Sequence, residues 1–157
     1  MRVVRVLAVI AAVILVIGTG YRFVKYLDGR QRYAVAVPPA NASPEQVAMA
    51  YMRALDAHDR TIADKLVTPD NHVDPDHWID DTARVTNIKI TGVLPDPTYY
   101  TAQGKAYRQA YQVFVSFNYQ AQWWSDSEGS FPNGYHPWSY SVVWDHGRWL
   151  IDNNGLG

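Results

Sequence analysis

The chain has 157 residues, of which 48% are hydrophobic and 13% aromatic, with no cysteine and a formal net charge of −1. Lack of cysteine excludes disulfides, thiolate metal sites and the acylated-cysteine anchor of a lipoprotein. The near-neutral total hides a division: residues 1–32 carry six basic side chains and one acid, whereas residues 33–157 carry eight bases and fourteen acids. The acidic part has no basic face with which to neutralise phosphates, so nucleic acid is not an expected partner.

Residues 1–5 are a short basic tail containing Arg2 and Arg5, and from Val6 to Tyr21 no side chain is charged. Sixteen uncharged residues make a helix of roughly 24 Å, and adding Val3, Val4, Phe23 and Val24, with the flanking arginines snorkelling outward, lengthens it to roughly 33 Å. A bilayer core is about 30 Å thick, so residues 6–24 are predicted to form a transmembrane helix or signal anchor. Two readings compete with it. One is a cleaved signal peptide ending near Gly18-Thr19-Gly20, against which stand Arg22 and Lys25 directly after that site. The other is a buried core helix of a soluble protein, against which stands the absence of any polar stripe. A raw count of positive charge, with Arg22, Lys25, Arg30 and Arg32 after the span, favours a cytoplasmic C-terminal side. A folded domain of over 100 residues translocates largely regardless of such charges, and the expectation is a cell-membrane protein with an extracytoplasmic domain.

Residues 25–42 read as a juxtamembrane linker. Its basic residues suit anionic headgroups and also suit a plain solvated linker, while Ala34 to Ala42, with Pro38-Pro39, has the composition of an extended tether. Ser43-Pro44-Glu45-Gln46 then opens a helix, with a capping serine, proline at the first helical position, an acid in the first turn and glutamine three residues after the cap. Val47, Ala50, Tyr51, Ala54 and Leu55 follow at the spacing of one buried helical face. Asp59 is placed to cap a second, short helix carrying Ile62, Ala63, Leu66 and Val67, which Pro69 stops.

Beyond Pro69 the period changes to two. Ala83 to Leu94 is predicted as a strand with Thr86, Ile88 and Ile90 on one face. Lys105 to Trp124 is the clearest strand, with Tyr107, Gln109, Tyr111, Val113, Val115, Phe117 and Tyr119 alternating against polar neighbours; one face should be packed and the other wet or lightly covered. A Gly/Ser/Pro-rich connection leads to a strand at Trp138 to Trp144, and Asp145-His146-Gly147 turns into a last strand from Arg148 to Asp152. Helices followed by antiparallel strands predict an α+β domain over residues 43–157, with N-terminal helices packed on a curved sheet.

The run Ser-Pro-Glu-Gln-Val-Ala-x-x-Tyr-x-x-Ala-Leu-Asp-Ala-x-Asp (Ser43 to Asp59) and the closing Val-Val-Trp-Asp-x-Gly-Arg-Trp-Leu-Ile-Asp (Val142 to Asp152) resemble the nuclear transport factor 2-like superfamily, the cone-shaped fold of ketosteroid isomerase and of many membrane-anchored bacterial domains. The resemblance implies a cone pocket between the first helix and the concave sheet. Its lining candidates here are Tyr51, Gln109, Tyr111 and Tyr140. The resemblance to ketosteroid isomerase also implies a tyrosine and aspartates in the cavity, and beyond Tyr51 no position matches them. Its activity therefore does not carry over.

Chemistry is otherwise thinly signalled. Asp70 to Asp81 (DNHVDPDHWIDD) holds ligand types for a divalent ion, yet Pro75 and Asp81 fall where an EF-hand loop needs glycine and glutamate, so the segment reads as a solvated acidic loop with no metal. No Gly-x-Ser-x-Gly or His-Glu-x-x-His motif occurs, and no catalytic residue or cofactor is assigned. Five of six tryptophans stand in the last 35 residues. Trp123 and Trp124 are adjacent and must face opposite ways in a strand; with Phe131, Tyr135 and Trp138 they are the candidate interface. The expected role is a noncatalytic interaction or assembly module whose partners are other membrane or envelope proteins, a second copy of itself among the options. In layout it is similar to scaffold subunits of type IV secretion and conjugation machines and to accessory proteins of lipid importers. The competing role is a small-molecule-binding or isomerase-like enzyme using the cone cavity.

Overall fold

The computed structural model describes residues 10, 13–23, 30–69, 84–99, 106–120 and 132–154. The chain divides into two compact units, Met1–Arg30 and Gln31–Gly157. In the first, residues 13–23 are helical and their apolar side chains are bare on every side: Ile14, Leu15, Val16 and Ile17 are 65–69% exposed. Among the described residues no helix is long and apolar enough to cross a membrane.

The second unit is α+β, its described residues forming two helices and a four-stranded antiparallel sheet in the order β1-β2-β3-β4. Helix α1 (Pro44–Ala57) starts as its sequence dictates: the Ser43 side chain accepts from the Gln46 amide and the Gln46 side chain accepts from the Ser43 amide, a complete capping box. It ends at His58, whose left-handed backbone (φ 55°) turns its amide back onto the carbonyls of Ala54 and Leu55. All five residues of the predicted face are buried, and Ala48, Met52 and Ala57 are buried as well, so α1 is enclosed on more than one side. Asp59 caps α2 (Arg60–Lys65) by accepting from the Ile62 amide.

The sheet consists of β1 (Arg84–Pro95), β2 (Ala110–Gln120), β3 (Gly134–Asp145) and β4 (Arg148–Asn154). In β1 the predicted face is only partly kept. Two register shifts against β2, at Asn87-Ile88 and at Thr91, break the alternation, and Asn87 takes a left-handed φ of 53°. Val85 is therefore buried and Thr86 exposed, while Ile88 and Ile90 pack against the core. Strand β2 keeps its alternation, burying Val113, Val115, Phe117 and Tyr119 toward α1. The predicted continuation of this strand to Trp124 lies outside the described residues. The β3–β4 turn has two residues, His146 and Gly147, both at positive φ (48° and 82°), which matches the right-handed twist of the flanking strands.

Two features were not legible in the sequence pattern. First, the predicted tether is docked from Gln31 onward. The Arg32 amide donates to the Ala57 carbonyl at 2.8 Å, the Tyr33 hydroxyl donates to Asp56 at 2.7 Å, and Val35 and Val37 pack on the core. Second, the stretch after α2 joins the sheet. Val67 forms a parallel bridge with Ile151, fixed by Thr68 N to Ile151 O and Ile151 N to Leu66 O at 2.8 and 2.7 Å.

Candidate functional site

The space between α1 and the sheet, where a cone pocket is predicted, is filled with rings. Tyr51 and Tyr140 are fully buried and meet edge to face, with centroids 5.4 Å apart, and the Tyr140 hydroxyl points at Met52 Sδ at 2.9 Å. Phe117 and Met52 complete the packing, at 1% and 0% exposure. Burial pushes both phenols well above the ordinary tyrosine value, and the charge of Asp64 adds to this for Tyr51. The Tyr51 hydroxyl is buried and has no hydrogen-bond partner among the described residues.

The other two pocket candidates differ: Tyr111 packs at the edge of the same core and Gln109 does not reach it. Tyr111 is half-buried and stacks edge to face on Trp149 at 5.3 Å; Trp149 in turn meets Trp144 at 5.2 Å. Gln109 is exposed, because β2 begins one residue later and the alternation that would turn its side chain inward has not started; only its carbonyl is engaged, by the Trp144 amide. Tyr51 and Tyr140 thus meet in a filled core against which Tyr111 also packs, while Gln109 stays outside it. Of the interface candidates, Tyr135 is 66% exposed and Trp138 is half-buried against the core. Trp123, Trp124 and Phe131 lie outside the described residues, as does the acidic segment Asp70 to Asp81.

Sequence reasoning found no interior carboxylate; among the described residues one, Asp152, is completely buried. Asp152 on β4 is fully buried, its Oδ1 accepting from Thr68 Oγ1 at 2.7 Å and from the Tyr107 hydroxyl at 3.3 Å, its Oδ2 accepting from the Tyr99 hydroxyl at 2.7 Å. Tyr99 and Tyr107 stack with centroids 6.4 Å apart, beside a small cluster of Ala110 and Val143. The Tyr99 phenol is pushed upward chiefly by burial, then by its hydrogen bond to Asp152 and by that carboxylate's charge. With three hydroxyl donors from three parts of the chain, the carboxylate is satisfied within the protein, and it ties residue 68 and the segments preceding β2 to the last strand. The signal in the sequence was one acid at the end of the apolar run Trp149-Leu150-Ile151.

A cleft of about 740 Å³ lies beside α1 in the second unit. One wall is the docked segment with Tyr33, Val35 and Pro38; the other is α1 with Glu45, Met49 and Arg53; Ile90 of β1 also contributes. Among the described residues no group of three or more histidine, aspartate and glutamate side chains is placed to hold a metal ion. No protein-family model, curated protein or solved structure matches this chain.

Proposed function

We propose that the chain is a single-pass membrane protein whose second unit is a noncatalytic, cone-shaped interaction or assembly module of the nuclear transport factor 2-like type, held outside the cytoplasm. The anchor reading draws on residues 6–24, whose described helical part presents apolar side chains on all sides, as lipid requires and water penalises. The observation that carries the functional reading is the ring-filled interior: Tyr51, Met52, Phe117 and Tyr140 occupy the place where an isomerase-like member of the fold would hold a ligand. A domain filled in this way acts through its surface, and its partners are other membrane or envelope proteins.

Crosslinking the full-length chain in its native membrane tests the reading. Discrete protein adducts through the second unit are expected, together with protease accessibility of residues 33–157 from outside intact cells. Recovery of the intact chain in the soluble fraction would overturn the anchor. Capture of nothing beyond lipid would overturn the interaction module.

A further inference from the structure

Helix α1 carries three side chains on its cleft-facing side at Glu45, Met49 and Arg53, one every four residues and therefore in a row along the axis. The acid and the base stand eight residues apart, about 12 Å, with the methionine midway between them. Among the described residues neither Glu45 nor Arg53 forms a salt bridge, although other charges on the same unit do, as in Arg32 with Asp56 at 3.5 Å. Ala50, beside Met49, is small and only 8% exposed, so nothing bulky raises the helix surface at the centre of the row.

A row reading acid, apolar, base is complementary to itself when reversed. Two α1 helices laid antiparallel with the Met49 side chains on the two-fold axis place Glu45 of each copy opposite Arg53 of the other, so both charge pairs form at once. A parallel arrangement would set like against like. We infer that the cleft-facing side of α1 is an isologous dimer surface whose occupant is α1 of a second copy of this chain. The symmetry is that of the commonest homodimers, in which one patch serves both partners. Apolar contact at Met49 and along Val35 and Ile90 supplies burial, and the two rim ion pairs fix direction more than they add affinity. The inference deepens the contact-module reading by naming its partner, and rests on it.

The chain has no cysteine, so Met49→Cys introduces a single thiol on the proposed axis. Helices packed about 8–10 Å apart bring facing Cα atoms to about 5 Å, within disulfide range. In full-length protein reconstituted in phospholipid vesicles, oxidation should give a disulfide dimer about tenfold faster for Met49→Cys than for Thr61→Cys, an exposed position on α2. Adding Glu45→Arg should slow the Met49→Cys reaction about tenfold, and adding Arg53→Glu as well should restore it to within about threefold. Equal rates at positions 49 and 61, or failure of the double reversal to restore what one reversal removes, would overturn the inference. Adducts at position 49 to a protein of another mass would overturn self-pairing while leaving the contact-module reading intact, whereas loss of that reading would show separately as the absence of adducts from native membranes.

Discussion

The two faces of the sheet differ in chemistry and in depth, one dry and closed, the other polar and only partly covered. Toward α1 the strands present Val113, Val115, Phe117, Tyr140 and Val142, a dry layer closed by Met52 and Tyr51. On the other face the same strands present Gln112, Ser139 and Ser141, linked by Gln112 Nε2 to Ser139 Oγ at 2.7 Å and by Ser141 Oγ to Gln112 Oε1 at 3.1 Å, with Asp152 and its hydroxyl donors alongside. The first face tolerates shape errors poorly but leaves little polar capacity at stake, whereas the second depends on every donor finding its acceptor. The alternation of β2 implies a second face that is wet or lightly covered, and on that strand Gln112, Phe114 and Asn118 are half-buried and Gln120 is exposed, while the serines of β3 lie deeper. Ser139 and Ser141 are 2% and 7% exposed.

Four changes would break or sharpen this contrast. The largest effect is expected from Phe117→Ala, which opens a cavity in the dry layer and should cost about 3–5 kcal/mol in denaturant unfolding of the full chain in detergent. Asp152→Ala removes the shared acceptor of Thr68, Tyr99 and Tyr107 and should cost about 3 kcal/mol, with Asp152→Asn retaining part of it; a loss below about 1 kcal/mol would mean that the hydroxyls find other acceptors. Ser43→Ala deletes half of the capping box and should cost about 1 kcal/mol. Tyr51→Phe removes a buried hydroxyl that has no partner among the described residues and should be neutral or stabilising by up to about 1 kcal/mol, the opposite of what a pocket-lining phenol would give.

Alkaline titration addresses both faces together. Tyr51, Tyr99 and Tyr140 are all held above the ordinary phenol value, and at the edge of the cleft Tyr33 is raised to about 12 by burial, by its hydrogen bond to Asp56 and by the charge of Asp56. The folded protein thus favours neutral phenols, and their contribution to stability is complete below the ordinary phenol value of about 10 and is lost as pH rises through the folded values. Unfolding free energy followed by urea titration should fall progressively from pH 10 upward, and Tyr99→Phe should reduce that slope. A flat profile between pH 10 and 12 would contradict the burial of these hydroxyls.

What the sequence revealed was local. The Ser43 cap, the buried stripe of α1, the Asp59 cap, the period-two core of β2 and the turn at His146-Gly147 each depend on residues within a few positions of one another, and each recurs in the fold where the spacing puts it. Long-range features were hidden. Thr68 meets Asp152 across 84 positions, and Arg32 meets Ala57 across 25, with no periodicity to announce either. The candidate site followed the same rule. Tyr51 was accessible because it sat on a recognisable apolar helix face, whereas Gln109 was misplaced by starting the strand at Lys105, ahead of its first residue Ala110. Asp152 was overlooked because a lone acid closing an apolar run gives no hint of its donors. The bulges at Asn87 and Thr91 explain the half-failure in β1, since each inserted residue reverses the parity on which a face assignment depends.

Strand β4 is gripped from both sides, by β3 along one edge and by residues 66–68 along the other. During synthesis, helices α1 and α2 leave the ribosome long before the strand that holds the segment following them, and Ile151, which bridges to Val67, comes 84 residues later. Through that interval α1 is covered only by the strands already made, β1 first, and its enclosure lacks the last strand. The nascent chain therefore locks residues 66–68 in place only when its final strand arrives, and a translation pause upstream of Trp149 would prolong the unlocked state.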